Sequence, residues 1–165
     1  MRIGRRLQNH PLLLDRAYRI TRRVLLGLEP LYSRLDRRLV ARWAVRVERI
    51  GKRWIFDCRM CGQCVLHATG MTCPMTCPKN LRNGPCGGVR GDGSCEVEPE
   101  MRCVWVEAVE RSRSLRRPGA GPAPLQAPLD WRLEGTSAWI NALEGADAPP
   151  PPGWRRGDGP LRTGG

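Results

Sequence analysis

Phenylalanine occurs once and tyrosine twice in 165 residues, while 15 prolines and 19 glycines interrupt what apolar sequence there is. A chain so short of core-forming rings buries little surface by itself and needs a staple of metal, disulfide or partner. Histidine is nearly missing. His10 stands near the start and His67 is alone among the cysteines, so no His–carboxylate or Ser–His pairing offers hydrolysis or group transfer. His67 reads as a packing or hydrogen-bonding residue. Long apolar runs are missing as well. Leu12 to Leu14 is cut short by Asp15 and Arg16, far below the ~20 residues of a membrane span and short of a signal-peptide core. The expectation is a cytoplasmic protein with no membrane span and no catalytic residue of its own. Cysteine, finally, is absent from residues 1–57 and 104–165, so all eight lie between Cys58 and Cys103. In a reducing compartment thiols clustered this way bind metal rather than pair as disulfides.

The net charge of +12 is unevenly spread. Residues 1–57 carry fifteen Lys/Arg against five Asp/Glu, residues 58–110 five against six, and residues 111–165 eight against five. Within the basic arm, apolar residues recur at three- and four-residue steps. Leu14, Ala17 or Tyr18, Thr21, Val24, Leu25 and Leu28 form one stripe between Pro11 and Pro30; Leu31, Leu35, Leu39, Trp43, Val47 and Ile50 form a second, with Gly51 as its stop. This spacing predicts two amphipathic helices packed as a hairpin. The arginines around them suit a solvated face, an acidic partner or an anionic membrane surface. They are distributed around helices whose other face is needed for packing, so specific nucleic-acid binding is not expected.

After Cys103 a short element, Val104 to Val109, precedes a Pro/Gly/Ala-rich linker from Arg116 to Pro128, and Ala148 to Gly165 reads as a disordered end. Between them Trp131, Leu133, Trp139 and Ile140 mark a segment, 129–140, that docks back onto the core or onto a partner. The predicted organisation is a basic helical arm (1–53), a Cys-rich metal-binding module (54–110) and a Pro/Gly-rich tail (111–165). The predicted fold class is a small α plus irregular, metal-stapled fold with an N-terminal helical hairpin, a Cys-rich loop module and a flexible C-terminal tail.

The cysteines run Cys58-x2-Cys61-x2-Cys64-x8-Cys73-x3-Cys77-x8-Cys86-x8-Cys95-x7-Cys103. Three cysteines at successive two-residue gaps wrap one compact body, as in bacterial ferredoxins, where such a run holds most of one [4Fe–4S] cubane. The fourth thiolate comes from elsewhere and is commonly followed by proline. Cys73 and Cys77 both precede proline, and the first cluster is assigned to Cys58, Cys61, Cys64 and Cys77. That leaves Cys73, Cys86, Cys95 and Cys103 for a second cluster, a zinc ion or structural thiols. Zinc remains the alternative metal, although its sites favour paired CxxC knuckles over a crowded triplet. Glycines in Asn83-Gly-Pro-Cys-Gly-Gly88 and Gly91-Asp-Gly-Ser-Cys95 permit close approach of amide N–H groups to sulfur.

The motifs Phe56-Asp-Cys-Arg-Met-Cys-Gly-Gln-Cys64, Thr69-Gly-Met-Thr-Cys-Pro-Met-Thr-Cys-Pro-Lys79, Leu81-Arg-Asn-Gly-Pro-Cys-Gly-Gly88, Gly93-Ser-Cys-Glu-Val97 and Met101-Arg-Cys-Val-Trp105 resemble the methylenetetrahydrofolate reductase C-terminal domain family. The resemblance spans about residues 54–110, with a further similarity around 129–140. It implies a partner, a flavin-binding TIM-barrel protein that interconverts 5,10-methylene- and 5-methyltetrahydrofolate, to which the cysteine subunit relays electrons. It also implies that the matching cysteines are metal ligands and that none binds folate. The barrel is missing from this sequence and 57 residues precede the module, so reductase activity by this chain alone is not expected.

Overall fold

The computed structural model of the protein describes residues 7–32, 34–115 and 126–146, and the linker and tail expectations for residues 116–125 and 147–165 lie outside them. Helix α1 spans Pro11–Gly27 and starts on a proline, whose missing N–H costs nothing in a first turn. It buries Leu14 and half-buries Tyr18, Thr21 and Leu25, as the apolar spacing predicts, but leaves Val24 and Leu28 exposed. A single turn, α2 (Glu29–Tyr32), follows.

Helix α3 spans Arg37–Phe56. Its first turn is capped by the Asp36 carboxylate, which accepts from the amides of Arg38 at 2.8 Å and Leu39 at 3.3 Å. Gly51 does not stop it. That glycine faces open space, and the helix runs on until Asp57 turns left-handed with φ 51°. An interior glycine costs about 1 kcal/mol relative to alanine, and the turn beyond it carries Lys52, Ile55 and Phe56, all packed on the cysteine loops.

The hairpin expectation is corrected. Instead of closing a seam with α3, α1 packs against α4 (Val104–Leu115) and touches α5 (Ala138–Leu143), while α3 meets α5. The stripe Leu39, Trp43, Val47 and Ile50, expected inside, lies outside. The face that α3 turns inward carries Ala41, Ala44, Val45, Glu48, Lys52 and Ile55. Glu48 and Lys52 on this face are buried as an ion pair, which apolar periodicity alone does not foresee.

Among the described residues there is no strand; one antiparallel bridge joins Ser94 to Arg102. Short 3-10 turns lie at Pro74–Thr76 and Trp131–Leu133. The element after Cys103 is a full helix of 12 residues, longer than expected. The core is small, as the composition requires: Leu14, Leu66, Met71, Cys73 and Met75 are buried together, with Tyr18, Ile55, Phe56, Cys61 and Cys64 against them. Among the described residues no helix is long and apolar enough to cross a membrane.

Candidate metal centre

The cysteine loops begin where α3 ends. Asp57, Met60 and Gly62 all have positive φ, so the chain coils tightly through the triplet. Met60 is the unusual one, since non-glycine residues rarely adopt this region; its carbonyl is held by the Gly135 amide at 2.8 Å. At Gly62, φ is +74° and a Cβ would come within 2.2 Å of the Leu133 carbonyl oxygen.

Cys58, Cys61, Cys64 and Cys73 line one small cavity, walled by Phe56, Val65 and Leu66. Cys77, Cys86, Cys95 and Cys103 line a second, beside Val104 and Trp105. The turn Pro74–Thr76 separates Cys73 from Cys77. Cys73 thus shares a small cavity with Cys58, Cys61 and Cys64, and Cys77 shares one with the later three. An open groove of about 950 Å³ exposes Cys58, Cys61, Cys73 and Cys77 together and has Arg49, Arg53, Arg59 and Arg102 on its walls.

The sulfurs act as acceptors. Met60 N–H donates to Cys58 Sγ at 3.4 Å, and Gly88 N–H to Cys86 Sγ at 3.4 Å. The amides of Leu66 and Met75 donate in the same way to Cys64 and Cys73. In each case the donor lies two residues beyond the cysteine, a local geometry that turns amide dipoles toward developing thiolate charge. Cys58 is drawn down to about 7, chiefly because Cys73 donates to it, with the Met60 amide and Lys52 adding to the effect against burial. The same bond, and then burial, push Cys73 far up. Burial also raises Cys64, against the pull of Lys52.

Behind the first cavity lies a charged network that sequence reading missed. Lys52 and Glu48, four residues apart on α3, form a buried ion pair. The other Glu48 oxygen accepts from the Ser137 hydroxyl at 2.6 Å, and Ser137 Oγ in turn accepts from the Ile140 amide at the start of α5. The ammonium also stands 4.8 Å over the Trp139 ring. Burial works against its charge, but Cys64, Glu48 and Cys58 outweigh burial and hold Lys52 above its ordinary value. The signal available in the sequence was slight: an i, i+4 Glu–Lys pair containing the one lysine among the fifteen basic residues of 1–57.

In the second set, Cys95 and Cys103 are buried and Cys86 is exposed. The Cys95 amide bonds to the Met101 carbonyl and the Cys103 amide to the Gly93 carbonyl, both at 2.9 Å, on either side of the Ser94–Arg102 bridge. Cys86 Sγ donates to Glu96 at 3.4 Å, and Glu96 pairs with Lys79.

The segment 129–140 docks on the chain's own core. Gln63 Oε1 accepts from the Asp130 amide at 2.7 Å, and Asn141 Nδ2 donates to the Gly62 carbonyl at 2.9 Å. Arg82 ties the Gln63 carbonyl to that of Ala127, at 2.9 and 2.8 Å. Of the segment's large apolar residues Trp131 alone remains largely exposed. His67 stacks on Tyr18, with ring centroids 6.2 Å apart.

Among the described residues no three His, Cys, Asp or Glu side chains converge closely enough to hold a single metal ion. The thiols instead ring cavities. Four thiols line each cavity, and amides donate to Cys58, Cys64 and Cys73 in the first and to Cys86 in the second, a donor set that suits zinc and iron–sulfur alike.

A family model described as methylene-tetrahydrofolate reductase C terminal matches residues 38–132. No curated protein and no solved structure matches the chain.

Proposed function

The chain belongs to the methylene-tetrahydrofolate reductase C-terminal family, and from that premise we propose that it is an electron-transfer subunit of a cytoplasmic methylenetetrahydrofolate reductase system, partnered with a flavoprotein. The observation that carries this reading is the division of eight cysteines between two cavities, Cys58, Cys61, Cys64 and Cys73 around one and Cys77, Cys86, Cys95 and Cys103 around the other. Iron–sulfur clusters bound by these thiolates would supply one-electron storage and the staple that so small a core requires.

The surrounding residues suit that role. Amides of Met60, Leu66 and Met75 and the ammonium of Lys52 offset thiolate charge at the first set. Leu66, Val65 and Phe56 exclude water from its cavity. Gln63, Arg82 and Asn141 hold the triplet loop in shape from the C-terminal side. The open groove leaves one edge of both sets within reach of a second protein. Flavin and folate chemistry belong to that second protein, and the Glu48–Lys52 and Glu96–Lys79 pairs beside the two sets are ion pairs whose charges neutralise each other.

The test is anaerobic purification followed by iron, acid-labile sulfide and zinc analysis, with about eight irons per chain expected from two cubanes. Methylviologen-linked oxidation of methyltetrahydrofolate by the flavoprotein, with and without this chain, measures the electron-transfer role. A colourless protein holding zinc alone would replace this reading with a zinc-stabilised binding module.

A further inference from the structure

Helix α3 has three faces rather than two. Its inward face is described above. Opposite it, Leu39, Trp43, Val47, Ile50 and Trp54 fall on one stripe at 3.6 residues per turn, each between 50% and 73% exposed. Along one flank of that stripe only, Arg42, Arg46, Arg49 and Arg53 form a band, with Arg46 lying 5.4 Å over the Trp43 ring. The other flank holds Val40 and Gly51, with Arg37 of the first turn as its one cation. Two large aromatic and three aliphatic side chains on one unpartnered face exceed the scattered apolar residues of an ordinary surface.

Three kinds of occupant fit an apolar face, and the charges choose among them. A second copy would bring two arms together, each with fifteen basic against five acidic residues, and like charges at an interface oppose association. A helix lying in an anionic bilayer surface carries cations on both flanks at headgroup depth; here four lie on one flank and Arg37 alone on the other. A protein with an apolar groove and carboxylates along one rim matches both features. The band also continues into the cysteine site, because Arg49 and Arg53 line the groove that opens on Cys58, Cys61, Cys73 and Cys77. Whatever seats on this face is brought beside the thiols.

We propose that the outward face of α3 is the seat of the redox partner, which presents an apolar groove rimmed by carboxylates toward Arg42, Arg46, Arg49 and Arg53. This rests on the reading that a flavoprotein partner exists. The segment 129–140 is not that seat, since Asn141, Asp130 and Gly135 are already engaged with the triplet loop.

The experiment uses the full chain purified anaerobically and the flavin-loaded reductase polypeptide of the same organism, with binding measured by interferometry. Trp43→Asp and Val47→Asp alter exposed side chains, so their metal content and circular dichroism should match the parent. Each should weaken the complex by about 30-fold or more, the loss of an interface hot spot. Arg42→Glu with Arg46→Glu should weaken it and flatten its salt dependence, while Val109→Asp, on α4, should change it by less than threefold. Parent and stripe variants binding the flavoprotein equally would overturn the proposal and leave the electron-transfer reading standing. Stripe-dependent binding to phosphatidylglycerol vesicles, or a stripe-dependent dimer in light scattering, with flavoprotein binding unaltered, would overturn it too. If the parent chain never binds the flavoprotein, the functional reading itself fails and takes this one with it.

Discussion

Removing the Glu48 carboxylate should be among the most damaging single changes in the protein. Glu48 is 2% and Lys52 6% exposed, so Glu48→Ala leaves an ammonium buried without its carboxylate, at a cost of about 3–5 kcal/mol. Ser137 loses its acceptor at the same stroke, worth about 1 kcal/mol within that range. Against a total stability of about 5–15 kcal/mol, the variant is left marginal. With a urea slope of about 2 kcal/mol/M, the unfolding midpoint should fall by roughly 2 M. The double variant Glu48→Leu/Lys52→Met, which replaces the pair with apolar groups of similar volume, should recover much of that loss. Urea titrations of parent, Glu48→Leu, Lys52→Met and the double variant, followed by circular dichroism at equal metal loading, give the coupling energy. A Glu48→Ala midpoint within 0.5 M of the parent, or losses that simply add in the double variant, would refute the claim that this pair ties α3 to α5 through Ser137 and Trp139.

Other consequences can be measured separately. Cys61→Ser and Cys73→Ser should lose the same half of the bound metal, and Cys77→Ser and Cys95→Ser the other half; a Cys77→Ser protein that matches Cys61→Ser in metal content and spectrum would break the division into two sets. Gly62→Ala places a methyl about where the Leu133 carbonyl stands and strains a φ of +74°, so it should release residues 129–146 and cost more than ~2 kcal/mol, seen as faster amide exchange at Met60 and Gly135. Burial pushes the Tyr18 phenol up to about 12, and its hydrogen bond to Glu144 raises Tyr32. Because the folded state favours the neutral phenol, this stabilisation is complete below pH ~10 and is lost as pH rises toward 12. Tyrosinate absorbance at 295 nm that completes near pH 10 while the circular dichroism stays native would contradict it.

The chemistry of this protein was legible wherever it was written locally. Three cysteines at two-residue gaps, their neighbouring glycines, and a helix starting on Pro11 are patterns set within a few residues, and the structure places a tight loop and a helix there. The family itself was readable from the same local motifs. The segment around Trp131 and Trp139 was visible as something that docks, but its destination was not, because the hydrogen bonds that decide it join Asn141 to Gly62 and Asp130 to Gln63 across most of the module.

The sequence by itself determined that there would be two amphipathic helices, a cysteine module and a core too small to stand alone, since periodicity and composition depend only on what lies nearby in the chain. Tertiary structure decided which face of α3 turns inward, because a helix with an apolar stripe and a Glu–Lys pair can bury either, and only Ser137, Trp139 and the thiols of Cys58 and Cys64 make the charged face the better fit. It also placed Cys73 and Cys77 on different small cavities. Both precede proline and look alike along the chain, but the single turn Pro74–Thr76 between them sends one toward the triplet and the other toward Cys86, Cys95 and Cys103.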